Sequence, residues 1–207
     1  MSGLPELLPH DGASAERMLL RGLAQQIDNE LASVIGMVSE AANSCDGAEV
    51  RAALASVQDR LENHVRLHHA LQMPQFATTV DLAAYLQQLG RSISRSRLEP
   101  EGIALSLRLQ PMTMSSEHCW LLGMIVFELI TASARHVRSG AGSIRLEVRG
   151  AVNSVTCCVI DNGPPDQVRS RGAHPTVEML VARLNGSTDV RVGPGATRTV
   201  VEIPRQA

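Results

Sequence analysis

Residues 20–38, LRGLAQQIDNELASVIGMV, decide the first half of the fold. Leu20, Leu23, Ile27, Leu31, Val34 and Val38 recur at spacings of 3, 4, 4, 3 and 4, which keeps them on one side of a helix. The pattern begins near Ser14 and ends at the turn signal Asn43–Gly47. A second stripe follows: Val50, Leu54, Val57, Leu61, His64/Val65, His68 and Leu71. It stops at Met73-Pro74, because the residue before a proline is pushed out of the helical region. Two long helices joined by a short turn predict an antiparallel hairpin over residues 14–76. One hairpin cannot bury both stripes, whereas two copies closing into a four-helix bundle can, so a homodimer is expected. Residues 1–13, with two prolines and two glycines, read as a flexible lead-in.

Beyond Pro74 the texture changes. Asp81 is placed to N-cap a helix through Leu82, Tyr85, Leu86 and Leu89 to about Ser96. Glu99-Pro100-Glu101-Gly102 is a turn, and Ile103, Leu105, Leu107 and Leu109 alternate as a strand does. Ser115 or Ser116 caps a helix running to about Val137. Ser143–Arg149 and Asn153–Asp161 read as a strand hairpin, Asp161–Pro165 as a loop and Thr176–Leu184 as a helix stopped by Asn185-Gly186. Thr188–Val192 and Thr197–Pro204 are closing strands. The mixed order over residues 77–207 is that of an α+β domain.

Composition narrows the chemistry. Hydrophobic residues make up 44% of the 207 and charged residues 19%, a globular balance. The longest apolar stretch, Cys119–Ile130, is broken by Gly123 and Glu128, which argues against a membrane span. No signal-peptide pattern opens the chain, so a cytoplasmic location is expected. The formal net charge of −2 gives no reason to expect nucleic acid as a partner. All 19 basic residues are arginine, which excludes a Walker lysine and any Schiff base. Cysteines 45, 119, 157 and 158 form no C-x-x-C, and Cys157 and Cys158 would point to opposite faces of a strand, so free thiols are expected.

The order of parts resembles a histidine kinase core. Arg21–Ile35, RGLAQQIDNELASVI, is similar to the first helix of HWE-type and closely related histidine kinases, and Gln58–Leu71, QDRLENHVRLHHAL, to their second. Asp81–Leu89 resembles the entry to the ATPase domain. Glu128–His136, ELITASARH, is similar to the N box of GHKL ATPases, Asp161-Asn162-Gly163 to the start of their first glycine box, and Gly193–Thr199, GPGATRT, to the last nucleotide-lid motif and its strand. The resemblance implies a dimerising hairpin followed by a GHKL-type α/β sandwich. It implies a nucleotide pocket drawn from Glu128, His136, Asp161, Gly163, Gly195 and Thr197, in which Asp161 would accept from the adenine amino group.

The departures from that pattern fall on its chemistry. Aligning on Asn29-Glu30-Leu31 puts Gln25 where the family has its phosphoacceptor histidine, and an amide nitrogen with a delocalised lone pair cannot carry a phosphoryl group. Aligning on Glu128-Leu129 puts Ala132 where an asparagine helps hold Mg²⁺, and a methyl is no ligand for a hard cation. The first glycine box ends in Pro165, and the second glycine turn falls at Arg171–His174, RGAH. Phosphoryl transfer rests on positioning and charge stabilisation, so these losses predict a degenerate member without autokinase activity and with at most a vestigial ATP/Mg pocket. No cofactor and no metal site is expected. His64 and His68 stand i,i+4, a zinc-compatible spacing, but bundle packing is the simpler role. His68 and His69 are the minor candidates for a substitute acceptor. Arg91, Arg95 and Arg97 read as a solvated face or a contact for acidic surfaces.

The expected function is therefore that of a dimeric, histidine-kinase-like two-component protein that binds a response regulator receiver domain or a partner kinase. One alternative is an active kinase or histidine phosphotransferase with a nonstandard acceptor. Another is an anti-sigma-factor-type regulator, which the long hairpin argues against.

Overall fold

The computed structural model describes residues 11–72, 78–137, 140–164, 175–193 and 195–205, with side chains from residue 22 onward. The chain divides into two compact units, Met1–Val65 and Arg66–Ala207, so the boundary falls inside the second helix.

The first unit is a helical hairpin. Helix α1 spans Asp11–Ser44 and α2 spans Ala48–Ala70. Helix α1 begins at Asp11, so the end of the stretch expected as a lead-in is helical; residues 1–10 lie outside the described residues. Leu31, Ile35, Val38 and Ala42 are half-buried at helical spacing, as are Leu54, Gln58 and Leu61 on α2. A second set, Leu23, Ile27, Val34, Met37, Val50 and Val57, stays exposed, from 38% at Val34 to 59% at Met37. At about 100° per residue the exposed set on α1 lies roughly a quarter turn from the half-buried one. The hairpin thus covers one stripe and leaves the other bare.

The second unit opens with the last turn of α2. Leu67 and Ala70 are buried there, and Trp120 donates its indole N–H to the Leu71 carbonyl oxygen at 2.8 Å. Strand β1 (Thr79–Asp81) pairs antiparallel with β3 (Thr113–Ser115). Helix α3 (Leu82–Ile93) is capped as expected: the Asp81 carboxylate accepts from the Ala84 N–H at 3.1 Å. Its Leu82, Leu86, Leu89 and Ile93 are fully buried. It does not run on as an α-helix to Ser96. It widens into a π turn, Ser94–Leu98, and then a 3₁₀ turn, Glu99–Glu101, closed by Gly102 at φ +65. Helix α4 (Ser116–Ala134) is capped by Ser115 and is the core helix. It is the one described helix long and apolar enough to cross a membrane, but Leu121, Leu122, Ile125, Val126 and Ile130 are packed in the interior.

A five-stranded sheet carries the rest. Its strands are β2 (Ala104–Leu109), β4 (Ser143–Gly150), β5 (Ser154–Asp161), β6 (Ser187–Gly193) and β7 (Ala196–Pro204), in the order β2-β4-β5-β7-β6. The β2–β4 pair is parallel, reached by a crossover through β3 and α4, and the other pairs are antiparallel. Leu146, Val148, Val155, Cys157, Val159, Val201 and Ile203 alternate inward. Helix α5 (Pro175–Arg183) ends at Asn185, which takes the left-handed conformation at φ 52. Gly186 then packs so closely that a Cβ there would lie 2.6 Å from the Glu202 carbonyl oxygen.

The four cysteines are free. Cys157 lies in the core and Cys158 on the opposite face, where Arg198 Nε approaches its Sγ at 3.0 Å. Burial pushes the Cys157 thiol up to about 12, with the neighbouring Cys158 adding to it, and burial pushes Cys119 up to about 11, with Asp81 adding to it. Tyr85, whose hydroxyl is buried without a hydrogen-bond partner among the described residues, is raised for the same reason, with Cys119 adding to it. Acids raised in the folded state keep their protons while the unfolded chain releases them. Their contribution to stability is full below pH 9 and is lost as pH rises toward the folded values. The expected result is a melting temperature that falls between pH 9 and 11. Cys157 alone should contribute a slope near 1.4 kcal/mol per pH unit, which Cys157→Ala removes. A melting temperature flat across that range, read by circular dichroism, would contradict this.

Candidate functional site

Among the residues that the resemblance assigns to a nucleotide pocket, His136, Asp161, Gly163 and Thr197 lie together at the C-terminal end of α4, the end of β5 and the start of β7. Helix α4 presents Glu128, Ala132, Ser133 and, just past its end, His136. Strand β5 ends in Asp161, which stands opposite Thr197 of β7 in the ladder. Asp161 is 2% exposed and Thr197 is 1% exposed, so both belong to the floor of the site rather than to its rim.

Asp161 is engaged within the protein. Ser133 donates its hydroxyl to Oδ2 at 2.8 Å, and the Gly163 N–H donates to Oδ1 at 3.0 Å. A buried carboxylate needs such partners, since leaving it bare costs several kcal/mol. Gly163 is the residue that fits beside it. A Cβ there would lie 2.9 Å from Asp161 Oδ1 and 3.1 Å from the His136 carbonyl oxygen, so the loop can close only on glycine. Asn162 ties the loop down by donating to the Ala141 carbonyl at 3.1 Å and accepting from the Ser143 N–H at 2.8 Å.

Thr197 completes the floor. Its Oγ1 is buried and has no hydrogen-bond partner among the described residues. Gly195, at φ +74, makes the turn from β6 into β7 that brings Thr197 opposite Asp161. Glu128 is half-buried on α4. Ala132 is 6% exposed, and its methyl offers no ligand atom to a cation. His136 is half-buried, and its backbone N–H bonds the Ser133 carbonyl at 3.0 Å. The segment 165–174, which includes the expected second glycine turn at Arg171–His174, lies outside the described residues.

Gln25, which the resemblance sets at the phosphoacceptor position, belongs to the first unit. Gln25 is exposed on α1, away from the half-buried stripe, and its Nε2 donates to Asn29 Oδ1 at 3.3 Å. His64 and His69 are exposed on α2, while His68 is half-buried with Nδ1 3.5 Å from Gln72 Nε2. No group of three or more His, Cys, Asp or Glu that could hold a metal ion occurs among the described residues.

Ser133 escaped the sequence reading. A serine one residue past Ala132 in an apolar helix carries no periodic signal, and its partner is 28 residues away. Glu147 also escaped it. This carboxylate is buried on the outer sheet face beneath Arg149 at 3.1 Å, Arg108 at 3.6 Å and Arg145 at 4.0 Å. Only the β2–β4 register brings Arg108 beside it.

Residues 26–97 match a family profile described as histidine kinase, HisKA_2. A search among curated proteins finds no relative that matches the chain. Solved structures do match. The histidine kinase domain of the Erythrobacter litoralis EL346 blue-light activated histidine kinase superposes with a TM-score of 0.56 at 18% identity, over 84% of this chain and 96% of that one. The longer EL346 protein gives 0.53 at 17% identity, where 98% of this chain spans 62% of its length. A structure titled as a bacterial phosphotransferase gives 0.60 at 12% identity, over 96% of this chain and all of that one. At such identities the likeness is one of fold: a helical hairpin followed by a mixed α/β sheet domain, as in histidine kinases.

Proposed function

We propose that this chain is a two-component signalling protein built on the histidine kinase fold but without autokinase activity. It acts as a dimer by binding a response regulator receiver domain or a partner kinase. The observation that carries the reading is Ala132: a buried methyl stands where the resembled family has a magnesium ligand, and a methyl offers a hard cation no oxygen, so the residues present do not fit Mg·ATP. The exposed amide of Gln25 supports the loss of the acceptor.

Calorimetry tests this directly. Mg·ATP should bind with a dissociation constant above about 1 mM, a binding free energy weaker than about 4 kcal/mol. Ala132→Asn alone should not restore binding, because the second glycine turn, Arg171–His174, is also altered in the sequence. Micromolar affinity for Mg·ATP in the native protein would overturn the proposal and favour an active kinase.

A second reading is a histidine phosphotransferase with an acceptor on α2. Two observations favour it: His69, one of the two candidate acceptors, is exposed, and the bacterial phosphotransferase structure is covered in full by this chain. Phosphorylated receiver domains distinguish the two, as set out below.

A further inference from the structure

We propose that a cleft between the π turn after α3 and the C-terminal end of α4 binds a small carboxylate with an apolar body. The cleft has a volume of about 250 Å³. Its walls are Ile93, Leu98, Ile103 and Ala134, and two guanidiniums, Arg97 and Arg135, stand beside them against the single carboxylate of Glu101. An apolar cavity with a few convergent polar groups is the usual form of a small-ligand site.

Two further observations point the same way. The wall itself is a π turn, Ser94–Leu98, a rare geometry frequently found at functional sites. That turn puts Arg97 over the Phe127 ring, 5.4 Å from its centroid. Such stacking restrains a long flexible side chain before any ligand arrives.

The ligand class follows from the lining. The planar guanidiniums select a carboxylate or phosphate oxygen pair, the four apolar side chains select a hydrocarbon body, and the volume admits a group about the size of one ring. The cleft shares a helical turn of α4 with Ser133, the residue that holds Asp161.

The test uses the full chain, ¹⁵N-labelled, titrated separately with benzoate, benzamide and inorganic phosphate. Benzoate should shift the amides of Ile93, Leu98, Ile103 and residues 131–135 with a saturating curve. Benzamide, isosteric but neutral, and phosphate, charged but without the ring, should each bind at least about tenfold more weakly, as expected for loss of a charge-assisted contact or of the apolar one. Arg135→Gln should weaken benzoate by a similar factor. Ala134→Leu, which fills the cleft with apolar volume, should abolish the shifts while Trp120 fluorescence reports an intact fold. The proposal is overturned if benzoate produces no saturable shift in the native protein. It is also overturned if the shifts survive Ala134→Leu, or if benzamide binds as well as benzoate.

Discussion

Val34→Asp combined with Val57→Asp should convert the protein from a dimer to a monomer while leaving the sheet domain folded. Both valines are exposed on the hairpin, in the stripe that also holds Leu23, Ile27, Met37 and Val50. Contiguous apolar surface of that kind is uncommon on a stable monomer. Burying a valine stabilises by about 1.5–3 kcal/mol, and placing a carboxylate in the same seam costs several more, so the double variant should raise the dimer dissociation constant by at least about a thousandfold. Light scattering should read twice the chain mass of 22.2 kDa for the native protein and the single mass for the variant. Leu31→Asp or Leu61→Asp should behave differently. Those residues are half-buried inside the hairpin, and a charge there should also reduce its helicity. A native protein that is monomeric at tens of micromolar would sink the dimer.

Restoring a histidine at position 25 is the second decisive change. Gln25 lies exposed on α1, hydrogen-bonded along its own helix to Asn29. Gln25→His should accept phosphate from a phosphorylated receiver domain, giving acid-labile label where the native protein gives none. In that step the P–O bond to the receiver's aspartyl carboxylate breaks as a P–N bond to the imidazole forms, and the receiver supplies its own cation. The variant should still not label itself from ATP, since Ala132 is unchanged. Label on the native protein that disappears in His68→Ala or His69→Ala would place the acceptor on α2 instead. It would establish the phosphotransferase reading.

Much of this architecture was legible because its elements are long and periodic. The stripes of α1 and α2, the cap at Asp81, the alternation of β2 and the stop at Asn185-Gly186 are local patterns, each set by a few residues' own geometry. The failures are short or non-local. Strands β1 and β3 have three residues each, too few to show a period, and exist because they pair with one another. The π turn has no propensity signature, so α3 read as continuing to Ser96. At the site, motif order picked out Asp161 and Gly163. The hydroxyl that occupies Asp161 could be found only once α4 was laid against β5. Ala132 and Gln25 stood out for the opposite reason: a departure from the resembled family's motif shows in the residue type, whatever the fold does around it.

The bond from Trp120 to the Leu71 carbonyl makes the chain its own optical gauge. Trp120 is the sole tryptophan, and its indole is anchored to the Leu71 carbonyl at the end of α2, whose last turn buries Leu67 and Ala70. An indole N–H held by a carbonyl in a half-buried setting emits differently from one in water. The wavelength of emission therefore reports one event, the detachment of that turn from α4, with no competing fluorophore of its kind to subtract. Titrating any candidate partner while watching that band would show whether recognition propagates to the root of the sheet domain.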